Sequence, residues 1–267
     1  MSVNGKVKKE ETYKEVKTIL VSQPKPERSP YYELEKRYGL TIDWRPFIHV
    51  EPVLAKEFRK FKVHLEEFTS VIFTSKNSID HFFRLCDELR IRMSADTKYF
   101  CLSEAVANYL QKFIIYRKRK VFVGVRDIAD LKPYLIKHKD KEKFLLPCSN
   151  LGSQEVSSFL DEHTFNWKDA LMYQTVSSDL SDLSDVTYDM LVFFSPLGIK
   201  SLFDNFPGFQ QNDTRIAAFG NSTSKAVEEC GLVLNVRAPA PEAPSMTRAL
   251  ELYLQKSNKA REGEDMA

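Results

Sequence analysis

The residues spell an α/β protein with two doubly wound parallel-sheet domains, one inserted in the other and joined by a two-stranded β connector. Three features lead there. Short apolar runs of strand type alternate with amphipathic helix patterns along most of the chain. One strand–turn–helix unit occurs twice, with a second matched unit after each copy. Two extended segments bracket the first copy, as the crossings into and out of an inserted domain would.

Taken in order, the first unit is an apolar run over 18–22 followed by a helix pattern over 30–38. Residues 43–50 are extended in character. In the first copy, Val71-Ile-Phe-Thr leads to Ser75, and Ile79, Phe82, Phe83 and Cys86 then fall at i, i+3, i+4, i+7, one face of a helix. A strand at Tyr99 and a turn at Ser103 follow. Further strands are expected over 121–124 and 143–147, with helices over 128–137 and 153–162. Residues 170–176 are again extended. The second copy runs Leu191-Val-Phe-Phe to Ser195, with Pro196 suited to a first helical turn and a stripe of Ile199, Leu202, Phe203 and Phe206. Its follower is a strand at Ile216 that turns at Gly220. A strand over 232–236, a proline-stiffened loop over 239–244 and a helix over 245–255 close the pattern.

This assigns 16–43 and 176–258 to an outer domain and 50–169 to an inserted one. Residues 43–50 and 169–176 become connector strands. The polar, charged ends, 1–15 and 259–267, are expected to be flexible tails.

Composition narrows the function. A chain of 267 residues suits two domains of ordinary size, and 43% apolar residues with 28% charged suffice for a core. Lys+Arg number 39 against 37 Asp+Glu, so the bulk basic field of a duplex-binding protein is missing. The run Tyr116-Arg-Lys-Arg-Lys120 is short and reads as a solvated approach to a strand. No apolar run nears the roughly 18 residues that span a bilayer, and mean hydropathy is −0.36. The four cysteines form no C-x-x-C pair, and the polar start lacks an apolar signal core. Free thiols in a reducing cytoplasm are expected. There is no H-E-x-x-H, G-x-S-x-G, P-loop or G-x-G-x-x-G motif, and only nine glycines to cradle a phosphate.

Four segments together resemble one family. Ile72-Phe-Thr-Ser-Lys-Asn, Tyr173-Gln-Thr-Val, Leu191-Val-Phe-Phe-Ser-Pro and Ala218-Phe-Gly-Asn-Ser-Thr-Ser-Lys-Ala, in that order, resemble uroporphyrinogen-III synthase over about residues 17–256. The resemblance implies two α/β domains joined by a two-stranded ladder, with the active site in the cleft between them. It implies a cyclising hydro-lyase of heme biosynthesis. The linear tetrapyrrole hydroxymethylbilane would lose water and close to uroporphyrinogen III with its last ring inverted. No metal or organic cofactor is implied. Two departures stand out. The first strand ends Ser22-Gln23-Pro24 where the family commonly has Thr-Arg-Pro, and Val106 takes a place where it commonly has threonine.

Such a substrate carries many carboxylates and forms a reactive cation, so it asks for hydrogen-bond donors and exclusion of water. The strand-to-helix turns offer them: Ser75, Lys76 and Asn77 at one, Ser195 at another, Asn221, Ser222 and Thr223 at a third, with Lys225 adding charge. Plain N-capping explains the same hydroxyls equally well. Tyr173 ends the second connector and becomes, on the family reading, the donor to the leaving hydroxyl; a phenol packed at the junction is the alternative. Asp80 and His81 read as surface or half-buried helix positions rather than a proton relay. Expected partners are hydroxymethylbilane and, transiently, the preceding enzyme of the pathway, with no nucleic acid, no membrane and a monomeric chain. A non-catalytic two-lobed binding protein for a small ligand stays open beside the enzyme.

Overall fold

The computed structural model describes residues 13–125 and 127–264. Along the chain the elements are β1 (Thr18–Val21), α1 (Tyr31–Tyr38), β2 (Thr41–Trp44), β3 (Ile48–Pro52), α2 (Ala55–Phe58), β4 (Ser70–Phe73) and α3 (Lys76–Leu89). Then come β5 (Lys98–Cys101), α4 (Glu104–Leu110), β6 (Val121–Val123), α5 (Ile128–His138), β7 (Phe144–Ser149), α6 (Gln154–Glu162) and β8 (Trp167–Ser177). The last are β9 (Met190–Phe193), α7 (Pro196–Asn205), β10 (Arg215–Phe219), α8 (Asn221–Glu229), β11 (Val236–Ala238) and α9 (Met246–Glu264). The chain forms two compact units, Met1–His49 with Val176–Ala267, and Val50–Thr175.

The first unit holds a five-stranded sheet in the order β11-β10-β9-β1-β2, every pair parallel. From β1 the chain winds outward to β2; from β9 it winds the other way through β10 to β11. The reversal falls between β1 and β9, where open α/β sheets bind ligands beyond the carboxyl ends of the strands. Period-two alternation builds two cores. Ile19 and Val21 pack with Tyr31 and Leu34 of α1 and with Leu250 and Tyr253 of α9. Leu20 packs on the other face with Phe193, Ile199, Leu202 and Val227, under α7 and α8. Each fully buried large side chain contributes about 1.5–3 kcal/mol, which sets the strand faces firmly.

The second unit holds the order β3-β8-β7-β4-β5-β6. Its parallel pairs reverse winding between β4 and β7. Val71 and Phe73 face Phe82 and Leu85 of α3; Ile72, Phe100 and Phe144 face Leu131 of α5 and Phe159 of α6. Both sheets are therefore clothed on two faces, as their central strands β4 and β9, buried at every residue, require.

Three details differ from expectation. Residues 43–50 are not one strand. Asp43 and Trp44 finish β2, Arg45 N still donates to Val21 O at 3.0 Å, and Pro46, without an N–H, stops the ladder before β3 begins. β8 likewise is not confined to a two-stranded ladder: it neighbours β3 and also pairs in parallel with β7 from Trp167 to Tyr173. The last strand starts at Val236 rather than 232, because side-chain amides take the ladder partners before it. Gln211 bonds both backbone groups of Val233, and Asn235 Oδ1 accepts from Ile216 N.

The ends also differ. Helix α9 runs on to Glu264, past residue 259. Tyr13 packs its ring on Tyr253 at 5.4 Å, and Lys14 O accepts from Ser257 Oγ. The rest of the expected tails, residues 1–12 and 265–267, lies outside the described residues.

Candidate active site

In the second unit, β4 stops at Phe73 and the chain turns into α3 through Ser75. That serine closes a capping box: its Oγ accepts from Ser78 N at 3.1 Å, and Ser75 N donates back to Ser78 Oγ at 3.2 Å. A capping serine accepts with a lone pair and keeps its O–H free to donate. Tyr173 OH lies 3.5 Å from Ser75 Oγ, long for a hydroxyl–hydroxyl bond. The phenol hydroxyl is thus held beside a helix start without being firmly spent.

A break in β8 puts Tyr173 there. Cys148 pairs with Leu171, but Ser149 pairs with Tyr173, so Met172 is one residue too many. Such a slip breaks the period of two and re-aims the following side chain. Ala170, Met172 and Tyr173 consequently all join the core that faces α3. Beyond the slip, Asn150 holds the strand: its Oδ1 accepts from Thr175 N at 2.9 Å and its Nδ2 donates to Thr175 O.

His81, one turn into α3, stacks on Tyr173 with centroids 4.8 Å apart and planes 15° from parallel. Its Nδ1 accepts from Arg84 Nε at 3.4 Å, which leaves the proton of the neutral ring on Nε2. Burial, reinforced by the Arg84 charge, holds the imidazole below its ordinary pKa, against the opposing pull of Asp80. Arg84 also donates to Val53 O and Met172 O and pairs with Glu88. It pins the bulged residue to α3. Asp80 accepts from Tyr109 OH at 2.8 Å, and that bond pushes the Tyr109 phenol up. Lys76 Nζ sits 5.5 Å from the Tyr109 ring, and Lys76 and Asn77 are both exposed at the helix start.

In the first unit, Ser195 caps α7, its Oγ accepting from Gly198 N at 3.2 Å. Gly220 caps α8 without a side chain, at φ 89° and ψ 152°. Asn221 and Ser222 are exposed in the first turn of α8, Thr223 is buried, and Lys225 pairs with Glu229 at 3.2 Å, further along the helix. Strands β9 and β10 are neighbours, so Ser195 and the start of α8 open from one edge of one sheet.

A cavity of about 300 Å³ lies at the carboxyl ends of β1, β2 and β9, walled by Gln23, Arg28, Tyr31, Trp44, Phe194 and Thr247. Tyr31 OH and Trp44 Nε1 are both buried with no hydrogen-bond partner among the described residues, and their rings meet edge-on at 5.1 Å. Burial drives the Tyr31 phenol far above its ordinary pKa, so it stays a donor. Arg28 is exposed and free of carboxylate partners among the described residues. Two orphan donors and a guanidinium suit an anionic oxygen. None of these three residues belongs to the repeat, which is why the turns alone did not point to them; Arg28, five positions after Gln23, supplies a guanidinium near where that glutamine replaces one. Among the described residues no His, Cys, Asp and Glu side chains group into a metal site, and no helix is long and apolar enough to cross a membrane.

A family model described as uroporphyrinogen-III synthase HemD matches residues 29–248. The chain is 26% identical over 250 residues to a uroporphyrinogen-III synthase of Chlorobaculum parvum, covering 88% of this chain and 98% of that one. To a uroporphyrinogen-III synthase of Schizosaccharomyces pombe it is 23% identical over 261 residues, with 89% and 98% covered. Among solved structures, uroporphyrinogen-III synthetase of Helicobacter pylori superposes with TM-score 0.56 at 19% identity, over 90% of this chain and 99% of that one. A mutant uroporphyrinogen III synthase of Thermus thermophilus gives 0.54 at 16%, with the same coverage. These likenesses show a shared α/β fold with parallel sheets.

Proposed function

The chain belongs to the uroporphyrinogen-III synthase family, and from that membership we propose that it converts hydroxymethylbilane to uroporphyrinogen III, as a cyclising hydro-lyase. A synthase of tetrapyrroles, rather than a non-catalytic binding protein, is the reading that the family match favours.

The chemistry asks little covalent work of the protein. Departure of the hydroxyl leaves a cation conjugated with the pyrrole, ring closure follows at a substituted carbon, and the last ring is inverted. The protein must orient the bilane, aid the departing oxygen and keep water away. The Tyr173 hydroxyl, set by the β8 slip beside Ser75 and braced by His81, carries this proposal: it is a positioned donor with no strong partner of its own. The group acts by a hydrogen bond to the leaving oxygen.

Carboxylates of the substrate would meet donors at helix starts: Ser75, Lys76 and Asn77 in one unit; Ser195, Asn221 and Ser222 in the other. The Arg28, Tyr31 and Trp44 cavity would take a further one. Thr223, being buried, supports α8 rather than meeting substrate directly, and Lys225 adds diffuse charge. The four free cysteines fit a reducing compartment and support a cytoplasmic enzyme; we take it to act as a monomer that receives the bilane from the preceding enzyme.

The test is a coupled assay. Hydroxymethylbilane generated in situ closes spontaneously to the type I isomer, so the isomer ratio after oxidation reports catalysis. Predominantly type III product is expected. Type I alone, from folded protein, would overturn the proposal.

A further inference from the structure

The second unit carries another cavity, of about 380 Å³, at the opposite ends of its strands. It lies between the segment that follows α3 and the loop between α4 and β6, beside the amino ends of β5 and β6. Its floor is apolar: Cys86, Tyr99 and Val121 are buried, with Phe83, Met93 and Ile114 packed against the same core. Burial pushes the Cys86 thiol and the Tyr99 phenol each up to about 12, so the floor is uncharged.

Two features point to a ligand. Thr97 is only 3% exposed, lines the cavity, and has a buried hydroxyl without a partner among the described residues. Such orphans are rare in folded proteins because they forfeit a bond to water. The rim is cationic: Arg92 and Arg117 are exposed and neither pairs with a carboxylate among the described residues. Lys120, also on the rim, is committed to Asp96. Asp87 is the one carboxylate among the lining residues, so the guanidiniums outnumber it. Arg117 is thus what the basic run at 116–120 gives to the cationic rim, and Ile115, 84% exposed, stands in the same wall.

We propose that this cavity binds a small amphipathic anion, with an aromatic or aliphatic body on the floor, a polar atom at Thr97, and its acidic group between Arg92 and Arg117. The site uses none of the residues assigned to cyclisation.

The test pairs two probes of nearly the same body: 8-anilinonaphthalene-1-sulfonate, which is anionic and has an N–H, and N-phenyl-1-naphthylamine, which is neutral. Their fluorescence is followed in the wild-type chain, in Arg92→Gln/Arg117→Gln and in Thr97→Val. The arginines are exposed, so that variant should fold, and its melting temperature checks this. The sulfonate should lose about tenfold or more in affinity in the arginine variant, while the neutral probe changes little. Thr97→Val should weaken the sulfonate without lowering the melting temperature, since the lost hydroxyl had no partner. Sulfonate affinity that is unchanged in the arginine variant, or absent in wild type, would overturn the proposal.

Discussion

The imidazole of His81 lies flat on the phenol of Tyr173, 4.8 Å between centroids and 15° from parallel. The two rings come from a helix and a strand whose contact depends on a slip of one residue in β8. Arg84 holds both sides, bonding His81 through Nε and Met172 through Nη2. The phenol therefore has its plane set by stacking and its depth set by the backbone, while its oxygen faces Ser75. In the proposed reaction this bracing would hold the donor in line with the leaving oxygen.

Replacing Tyr173 by Phe keeps the ring, the stack and the core contact, and removes one donor. A donor aimed at a departing oxygen is worth about 10²-fold in rate. Tyr173→Phe should lower kcat by about that factor, with KM within a few-fold and the melting temperature nearly unchanged. Wild-type kcat and KM would take Tyr173 out of the reaction.

His81 predicts a pH effect of definite sign. Burial holds its folded pKa below the ordinary value. Between the folded pKa and about 6.5 the unfolded chain binds the extra proton, so stability rises with pH through that window and is complete above it. Acidification charges a ring pressed on Tyr173 and Arg84. His81→Phe retains a stack but cannot titrate. The gap in melting temperature between the variant and wild type should move in the variant's favour as pH falls from about 7.5 to about 5. His138 is depressed as well and shares the sign, but it is common to both proteins and cancels. Parallel curves would show that His81 titrates normally.

The fold was readable because the central parallel strands, covered on both faces, are largely apolar, and the repeat marked where β4, β5, β9 and β10 turn into helices. The turns at Ser75 and Ser195 were visible for the same reason. What a linear pattern does not carry is the slip before Tyr173: Leu171-Met-Tyr reads the same with or without an extra residue, and the partner strand decides. Nor does it carry the division of residues 43–50 between two sheets, although Pro46 is there to be read. His81 sits at the half-buried helix position its pattern allows; what the pattern does not carry is its stacking partner, far off in sequence. Arg28, Tyr31 and Trp44 come from a loop, a helix and a strand, and only the cavity unites them. Function was carried by resemblance, not by any motif of catalysis.

Gly220 offers a clean backbone test. At φ 89° and ψ 152° it occupies a region that glycine alone uses readily, yet an added Cβ would meet nothing within 4 Å. The cost of Gly220→Ala is then conformational, about 1–3 kcal/mol, with no clash to relieve. The melting temperature should fall by several degrees, and KM should rise because the start of α8 shifts. An unaltered melting temperature would mean the turn relaxes freely.

Tyr31 and Arg28 separate binding from stability. The Tyr31 hydroxyl is buried without a partner among the described residues, so Tyr31→Phe should leave the melting temperature equal to wild type or slightly higher. If the hydroxyl and Arg28 receive a carboxylate, Tyr31→Phe and Arg28→Gln should each raise KM by about tenfold while kcat holds. A lowered melting temperature in Tyr31→Phe, with unchanged KM, would instead make the phenol a structural group satisfied by buried water.

Ser195 distinguishes a cap from a binding group. Its Oγ accepts from Gly198 N, and its proton is left to donate. Ser195→Ala removes both functions and should cost about 1 kcal/mol as well as raise KM. Ser195→Asp keeps the cap, since aspartate caps as well as serine, but sets an anion where a substrate carboxylate would approach. Its melting temperature should match wild type, and KM should rise more than in the alanine variant. Were the serine only a cap, the order would invert: the aspartate variant would be active and stable, and the alanine variant merely less stable.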